Sequence, residues 1–337
     1  MFRFSFLFFI ATVSLHAISC ACTIPVFRYA LDRWEADKFH LVLPATSSSD
    51  AALTDALRPL RANGKANLEI TTAKDAATEA VLFSSRESDK PVWTGALNKV
   101  TLEALLDSPG RQKILQQILA GDSAIWVLVE RGTPEDKAEA ERIEKRLKFL
   151  EQVASLPIQD PNDPDSQLGP GPALKLKFAS LRLRRDDPKE KVLLSMLAGP
   201  KNSFDPVTTS FAAAVFGKGR VLGAWPIEDL DDASLEDACM FLVGRCGCRI
   251  KSGNPGWDLL LNVDWEVALA KAGETTQQPS VAVEPKKPEV VTIKAETKMA
   301  EASSSPSDPR MKSILLIGAA VFLSTLALFF LRGNGKK

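Results

Sequence analysis

Histidine and tyrosine are nearly missing from this 337-residue chain, which has two of the former and one of the latter. His16 lies in an apolar N-terminal run, so a processed chain keeps only His40, inside a predicted strand. A Ser-His-Asp triad therefore has no base to build on. Net charge is missing too: 42 Lys and Arg balance 42 Asp and Glu. That balance leaves no global field to draw in nucleic acid, and no nucleic-acid partner is expected. No Asn-x-Ser/Thr acceptor occurs, since Asn202-Ser203-Phe204 fails the spacing. A eukaryotic secreted domain often carries one, so the absence points to a bacterial chain. What is present is ordinary for a globular protein: 45% apolar and 25% charged residues.

The two ends differ from the middle. Arg3 is followed by an apolar stretch from Phe6 to about Val13 and by small residues at Ala17-Ile18-Ser19. The run is too short to span a bilayer and has the layout of a secretion signal. Ala-Ile-Ser-Cys also loosely matches a lipobox, in which Cys20 would carry lipid. Near the other end, Ile314 to Leu331 holds no charge and is flanked by Arg310, Lys312 and Arg332. Its length is at the low end for crossing ~30 Å of hydrocarbon. Between about Gly273 and Arg310 the chain has no aromatic residue and many Pro, Glu, Lys, Ser and Thr. Such a segment buries too little apolar surface to order itself and serves as an extended tether.

The middle alternates strand and helix patterns. Phe39–Leu43, Asn67–Ile70, and a hairpin over Ala80–Phe83 and Pro91–Thr94 read as strands. Leu53, Leu57 and Leu60, with Asn63-Gly64 as the stop, then Leu102, Leu105 and Leu106, mark helices. The cycle then repeats. Ser123–Val129 reads as a strand buried on both faces, and Pro134 opens a long helix with Ile143, Leu147 and Leu150 on one side. Leu174–Phe178 with Leu181–Leu183, then Val207–Phe216 and Arg220–Trp225, follow as strands. The last two are joined by the turn Gly217-Lys218-Gly219. A helix opened by Ser234, with Leu235, Cys239 and Leu242, closes the series. Each half reads β-α-β-(α)-β-β-α, an order that resembles the thioredoxin fold used twice. One doubly wound mixed sheet is the alternative.

A thioredoxin-like oxidoreductase would carry Cys-x-x-Cys after its first strand. Here Pro44-Ala-Thr-Ser-Ser48 and Glu130-Arg-Gly-Thr-Pro134 stand in those places, without cysteine. Pro206, before a hairpin strand, stands where that fold carries its cis-proline, although Asp-Pro is also a common turn. Gly217-Lys-Gly-Arg220 lacks phosphate-loop spacing, and the acidic run from Glu228 to Asp237 lacks the calcium-loop pattern. Cys239 falls on a core face. The remaining cysteines suggest a disulfide from Cys22 to Cys246 or Cys248, a strained Cys246–Cys248 pair, or thiolate ligands for copper or zinc from Cys22, Cys246 and Cys248.

Two stretches concentrate distinctive residues: Pro25-Val-Phe-Arg-Tyr-Ala-Leu-Asp-Arg-Trp34, and Cys246-Gly-Cys248 followed by Asn254-Pro-Gly-Trp-Asp-Leu-Leu260. With Phe216-Gly-Lys-Gly-Arg220 they resemble an uncharacterised family of exported, membrane-anchored bacterial proteins. That family shows a Cys-x-x-Pro-Val-Phe-Arg-Tyr-Ala-Leu-x-Arg-Trp start and a Cys-x-Cys…Asn-Pro-Gly-x-Asp-Leu-Leu end. The resemblance implies shared architecture and no activity. Arg28, Tyr29, Arg33, Trp34, Asn254, Trp257 and Asp258 are the interaction candidates, as packing and ion-pair residues or as a site where the two ends meet.

The expected organisation is a signal peptide (1–19), a first α/β half (20–122), a second (123–272), a disordered stalk (273–313), a transmembrane helix (314–331) and a cytoplasmic tail (332–337). The expected function is a non-enzymatic, membrane-tethered binding scaffold facing the periplasm from a bacterial inner membrane. It would use no cofactor and would engage a protein partner. A thiol-redox or metal-handling protein is the alternative.

Overall fold

The computed structural model describes residues 23–45, 50–74, 78–84, 87–159, 162–200, 204–246 and 250–277. The chain divides into two units, Met1–Val281 and Ala282–Lys337, and the second lies wholly outside the described residues. So do the predicted signal peptide, Cys20, Cys22, Cys248, nearly all of the predicted stalk, the 314–331 segment and the tail.

Helix α1 (Val26–Arg33) comes first, with Val26, Phe27, Ala30 and Leu31 buried at steps of three and four. Strand β1 (Phe39–Leu43) leads to α2 (Ala51–Asn63), which Asp50 caps by accepting from the Leu53 N–H at 3.0 Å. Gly64, at φ 55°, ends α2 in the left-handed region, as the Asn-Gly signal predicts. Strands β2 (Leu68–Thr72), β3 (Ala80–Ser84) and β4 (Glu87–Gly95) complete the first sheet. Helix α3 (Lys99–Leu106) opens on a capping box between Asn98 and Thr101, and α4 (Pro109–Leu119) opens on Ser108 with Pro109 in its first turn.

Strand β5 (Ala124–Glu130) is buried along its whole length, as its continuous apolar run predicts. Helix α5 (Pro134–Val153) has Thr133 as its cap and Glu135 and Asp136 in its first turn, where the helix dipole favours negative charge. Strand β6 (Phe178–Arg184), helix α6 (Lys191–Ala198) and the hairpin of β7 (Phe211–Phe216) and β8 (Arg220–Pro226) follow. Gly217 and Gly219 take φ of 57° and 88° in the hairpin turn. Helix α7 (Asp232–Val243) begins at an Asp231 cap rather than at Ser234. The two-residue strand β9 (Trp257–Asp258) and α8 (Trp265–Gln277) end the fold.

The first sheet runs β2-β1-β3-β4 and the second β6-β5-β7-β8-β9. In each, the first strand pairs its neighbour in parallel and the hairpin antiparallel. The architecture is therefore α/β, with two mixed sheets flanked by helices. The period of two along a strand divides the core in two. Ile125, Val127 and Val129 of β5, with Phe211, Ala213 and Val215 of β7, join a core that also holds Leu41, Leu82, Leu102 and Leu197. Trp126, Leu128, Ala212 and Ala214 join the opposite core under α5 and α7.

The chain ends cross over. Helix α1 packs in the core behind the second sheet, beside Phe216 and Cys246. Leu259, Leu260 and Leu261, just after β9, pack in the core shared with the first sheet.

Among the described residues no helix is long and apolar enough to cross a membrane. The longest, α5, spans 20 residues but buries only one stripe and carries charge on the rest. The expectation of a membrane-tethered scaffold, and with it the description of the protein by a transmembrane helix, is corrected accordingly. The segment that suggested it, 314–331, falls outside the described residues.

Candidate functional site

The two distinctive stretches meet on the second sheet. Arg220 opens β8 and pairs in register with Asp258 of β9. Its Nη1 lies 3.2 Å from Asp258 Oδ1, and both side chains are only 3% exposed. Arg220 Nε donates to the Pro255 carbonyl at 3.0 Å and Nη2 to the Asn254 carbonyl at 2.9 Å. Its guanidinium also stands over the Trp34 ring, 5.5 Å from the centroid. The other Asp258 oxygen accepts from the Asp37 N–H at 2.6 Å and from Lys251 Nζ, which also lies 2.9 Å from Asp37. Every charged head in this clasp faces a partner, so its chemistry is structural. Gly256 fits only as glycine: at φ 104°, a Cβ there would sit 2.1 Å from the Val221 carbonyl oxygen.

The clasp brings together Trp34, Asn254 and Asp258 of the candidate residues. Arg28 lies elsewhere on α1. Its Nε is 2.8 Å from Asp32, and its other nitrogens donate to the carbonyls of Gly169 and Pro172, holding the loop before β6. Arg33 reaches the Gln167 carbonyl at 3.3 Å, and Tyr29 meets Trp34 edge-on at 6.2 Å. Trp257 points away from the clasp and donates its indole N–H to the Met196 carbonyl at 2.7 Å. Its ring presses on Gly199, where a Cβ would come within 2.4 Å.

That contact lies on the wall of a cleft of about 270 Å³. Phe39, Pro91 and Val92 of the first sheet line one side. Met196, Pro200, Pro206 and Trp257 line the other, with Ser84, Lys90, Ser195, Asp205 and Asp258 at polar positions. Two further hollows, of about 340 and 210 Å³, share Ser195 with it. Pro206 belongs to a turn in which the Asp205 carbonyl accepts from Thr209 N–H at 2.9 Å. Among the described residues no peptide bond is cis, so of the two readings of Pro206 the Asp-Pro turn holds.

The cysteines supply no reactive centre among the described residues. Burial pushes the Cys239 thiol up to about 12, against a smaller opposing effect of Trp126, so it stays protonated. Cys246 is 2% exposed. No group of three His, Cys, Asp or Glu placed to hold a metal ion occurs among the described residues. The alternative function, a thiol-redox or metal-handling protein, is corrected accordingly. Cys22 and Cys248 lie outside the described residues; the nearest described backbone has the Cys246 N–H donating to the Ile24 carbonyl at 3.1 Å.

A carboxylate pair at the end of β5 was not legible in the sequence. Glu130 is 8% exposed and its Oε1 has no hydrogen-bond partner; Arg182 stands 3.6 Å away. Burial raises its carboxyl above the ordinary value, with Arg182 opposing and Asp136 reinforcing. Burial also pushes Asp136 up, but the Ser210 hydroxyl at 2.9 Å and the Arg131 N–H at 2.7 Å outweigh it and hold this carboxyl low. A raised acid costs stability as pH rises through the range between its unfolded and folded values, because the folded state resists losing the proton. Glu130→Gln is therefore expected to stabilise the protein at pH 7. The gain should vanish below pH ~4, where unfolded glutamate is itself protonated. Asp136→Asn should destabilise at pH 7, since its folded value is lowered and its contribution is present above the unfolded one. Thermal melts across pH 3.5–8 (approximately, spanning the ordinary carboxylate range) check both signs.

Compared with protein-family models, curated proteins and solved structures, the chain finds no match in any of the three. The resemblance to a family of exported, membrane-anchored bacterial proteins is corrected by that result: no family model matches the chain.

Proposed function

We propose that the protein is a non-catalytic binding module whose ligand site is the cleft around Trp257 and Ser195. The observation that carries this reading is the cleft's composition and place. It lies between elements of both sheets, is walled by apolar and aromatic side chains, and has few polar groups. Trp257, held by its own hydrogen bond, offers a fixed ring to an apolar ligand.

We also read the two sheets as tandem thioredoxin-like halves, meeting near residues 122 and 123. The shared strand order and directions support this. The cleft then falls to the junction between halves, a common place for ligands. The candidates Trp257 and Asp258 border it, while Trp34 and Asn254 hold β9 in position from behind.

Titration with the fluorescent apolar anion 1-anilinonaphthalene-8-sulfonate tests the site. Ser195→Phe places a ring where the three hollows meet, on a partly exposed helix position that tolerates it. Saturable binding that weakens about tenfold in this variant, with an unchanged melting temperature, is expected; tenfold corresponds to about 1.4 kcal/mol. Equal binding by the variant overturns the reading.

A further inference from the structure

The second sheet has an open edge. Strand β6 ends the sheet, and β5 is its only strand neighbour among the described residues. Backbone groups along a strand alternate in direction. The Phe178 N–H turns away from β5 and is accepted at 2.8 Å by the Glu151 carboxylate. Ser180 and Arg182, in the same phase, therefore direct their N–H and C=O outward. Glu151 blocks the strand at its start and leaves those two residues as the unpaired stretch.

A groove of about 610 Å³ runs beside this edge, between the end of α4 and the face of α5. Its charge is uneven. Asp122 is taken by Lys175 at 2.6 Å, Glu144 by Arg182 at 2.9 Å and Glu151 by Lys177 at 3.0 Å. Lys145 and Lys148, exposed on the α5 wall, make no ion pair among the described residues. The acids are spent internally and two cations remain, so the groove is complementary to a negative ligand although the chain as a whole is neutral.

We propose that this edge takes an acidic segment of a partner protein in extended conformation. The segment adds a strand to the sheet at Ser180 and Arg182 and turns carboxylates toward Lys145 and Lys148. Main-chain hydrogen bonds supply the pairing, as in other strand additions, and the lysines select the charge. The groove is separate from the Trp257 cleft, and the proposal does not depend on that reading.

The probe is a blocked, fluorescein-labelled hexapeptide of alternating Glu and Val, titrated into the full chain by fluorescence anisotropy. The acidic peptide should bind and the corresponding Lys-Val peptide should not. Lys145→Glu with Lys148→Glu should weaken binding about tenfold or more, because reversing both charges turns attraction of the acidic peptide into repulsion. N-methylation of alternate peptide nitrogens in the phase that faces β6 should abolish binding, whereas methylation in the other phase should not. In the complex, the Ser180 and Arg182 amides should gain protection from hydrogen exchange. Binding that is indifferent to the lysines, or to the phase of methylation, overturns the proposal. Binding of both peptides alike overturns it as well.

Discussion

Replacing Asp258 with alanine is expected to lower the free energy of unfolding by about 3–5 kcal/mol, the range for removing one partner of a buried charge pair. Arg220 is 2% exposed and would lose the carboxylate that faces its guanidinium beside the Asn254 and Pro255 carbonyls. Lys251 would lose the partner it shares with Asp37. The Asp37 N–H would lose its acceptor too. Urea denaturation of the wild type, Asp258→Ala, Arg220→Met and the double variant measures the pair. Because the two groups touch, the double variant should lose less than the sum of the singles, with a coupling of roughly 0.5–3 kcal/mol. Asp55→Ala serves as the contrast. Asp55 pairs with Arg58 at 2.8 Å, but both side chains are about two-thirds exposed or more, and the loss should stay within ~0.5 kcal/mol. Comparable losses at both sites would refute a buried clasp.

The Asp258 network shows how far the residues alone reached. Asn254, Trp257 and Asp258 stood out because Asn-Pro-Gly-Trp-Asp is an unusual run, and Trp34 because its stretch, Pro25 to Trp34, holds the only tyrosine, two arginines and three aromatics. Position in the chain could not say that Arg220 and Asp258 are register partners, since pairing between β8 and β9 is a long-range choice. Local signals did better. The continuous apolar run of β5, the Pro134 helix start, the Asn63-Gly64 stop and the Gly217–Gly219 turn are all read within a few residues, and all stand where expected. The strand before the Gly turn begins at Phe211 rather than Val207, because Asp205 ties up the Val207 N–H and the Thr208 hydroxyl in a turn.

The crossing of the chain ends was illegible for a different reason. Helix α1 is amphipathic, and its apolar stripe would suit either sheet; packing against Phe216 and the close approach of Gly217 to Ala30 decide it. The carboxylates at the end of β5 escaped notice because an isolated Glu or Asp reads as solvated surface. Burial pushes both carboxyls up, and only the hydrogen bonds from Ser210 and Arg131 to Asp136 send the net shifts of Glu130 and Asp136 in opposite directions.

Glu190 is the strongest case of a charge that the sequence conceals, and Glu190→Ala is expected to cost about 2–4 kcal/mol. It stands in Pro188-Lys-Glu-Lys191, a run that looks solvent-facing, yet it is 2% exposed. Its carboxylate accepts from the Ser108 hydroxyl at 2.6 Å and from the Gly110 N–H at 2.7 Å. It thereby caps the start of α4 from a residue that itself precedes α6. Alanine leaves two buried donors without acceptors, each at about 1–3 kcal/mol. Beside them Arg111 is 1% exposed, and its remaining contacts are the Leu105 and Ala104 carbonyls at 2.6 and 2.7 Å and the Ser108 oxygen. Burial pushes the Arg111 guanidinium down to about 10, with Asp107 and Glu190 resisting, so losing Glu190 also removes support for that charge. Glu190→Gln should fall between wild type and alanine, because its amide keeps one acceptor but turns a second donor toward a donor. Gly110→Ala should destabilise by crowding, since a Cβ there would lie 2.8 Å from both Glu190 Oε2 and Leu193 Cδ2. Shortening the acid should relieve part of that clash, so the alanine pair should lose less than the two single losses added. Equilibrium unfolding of the four proteins reads this directly, and strictly additive losses would mean that Glu190 does not reach α4.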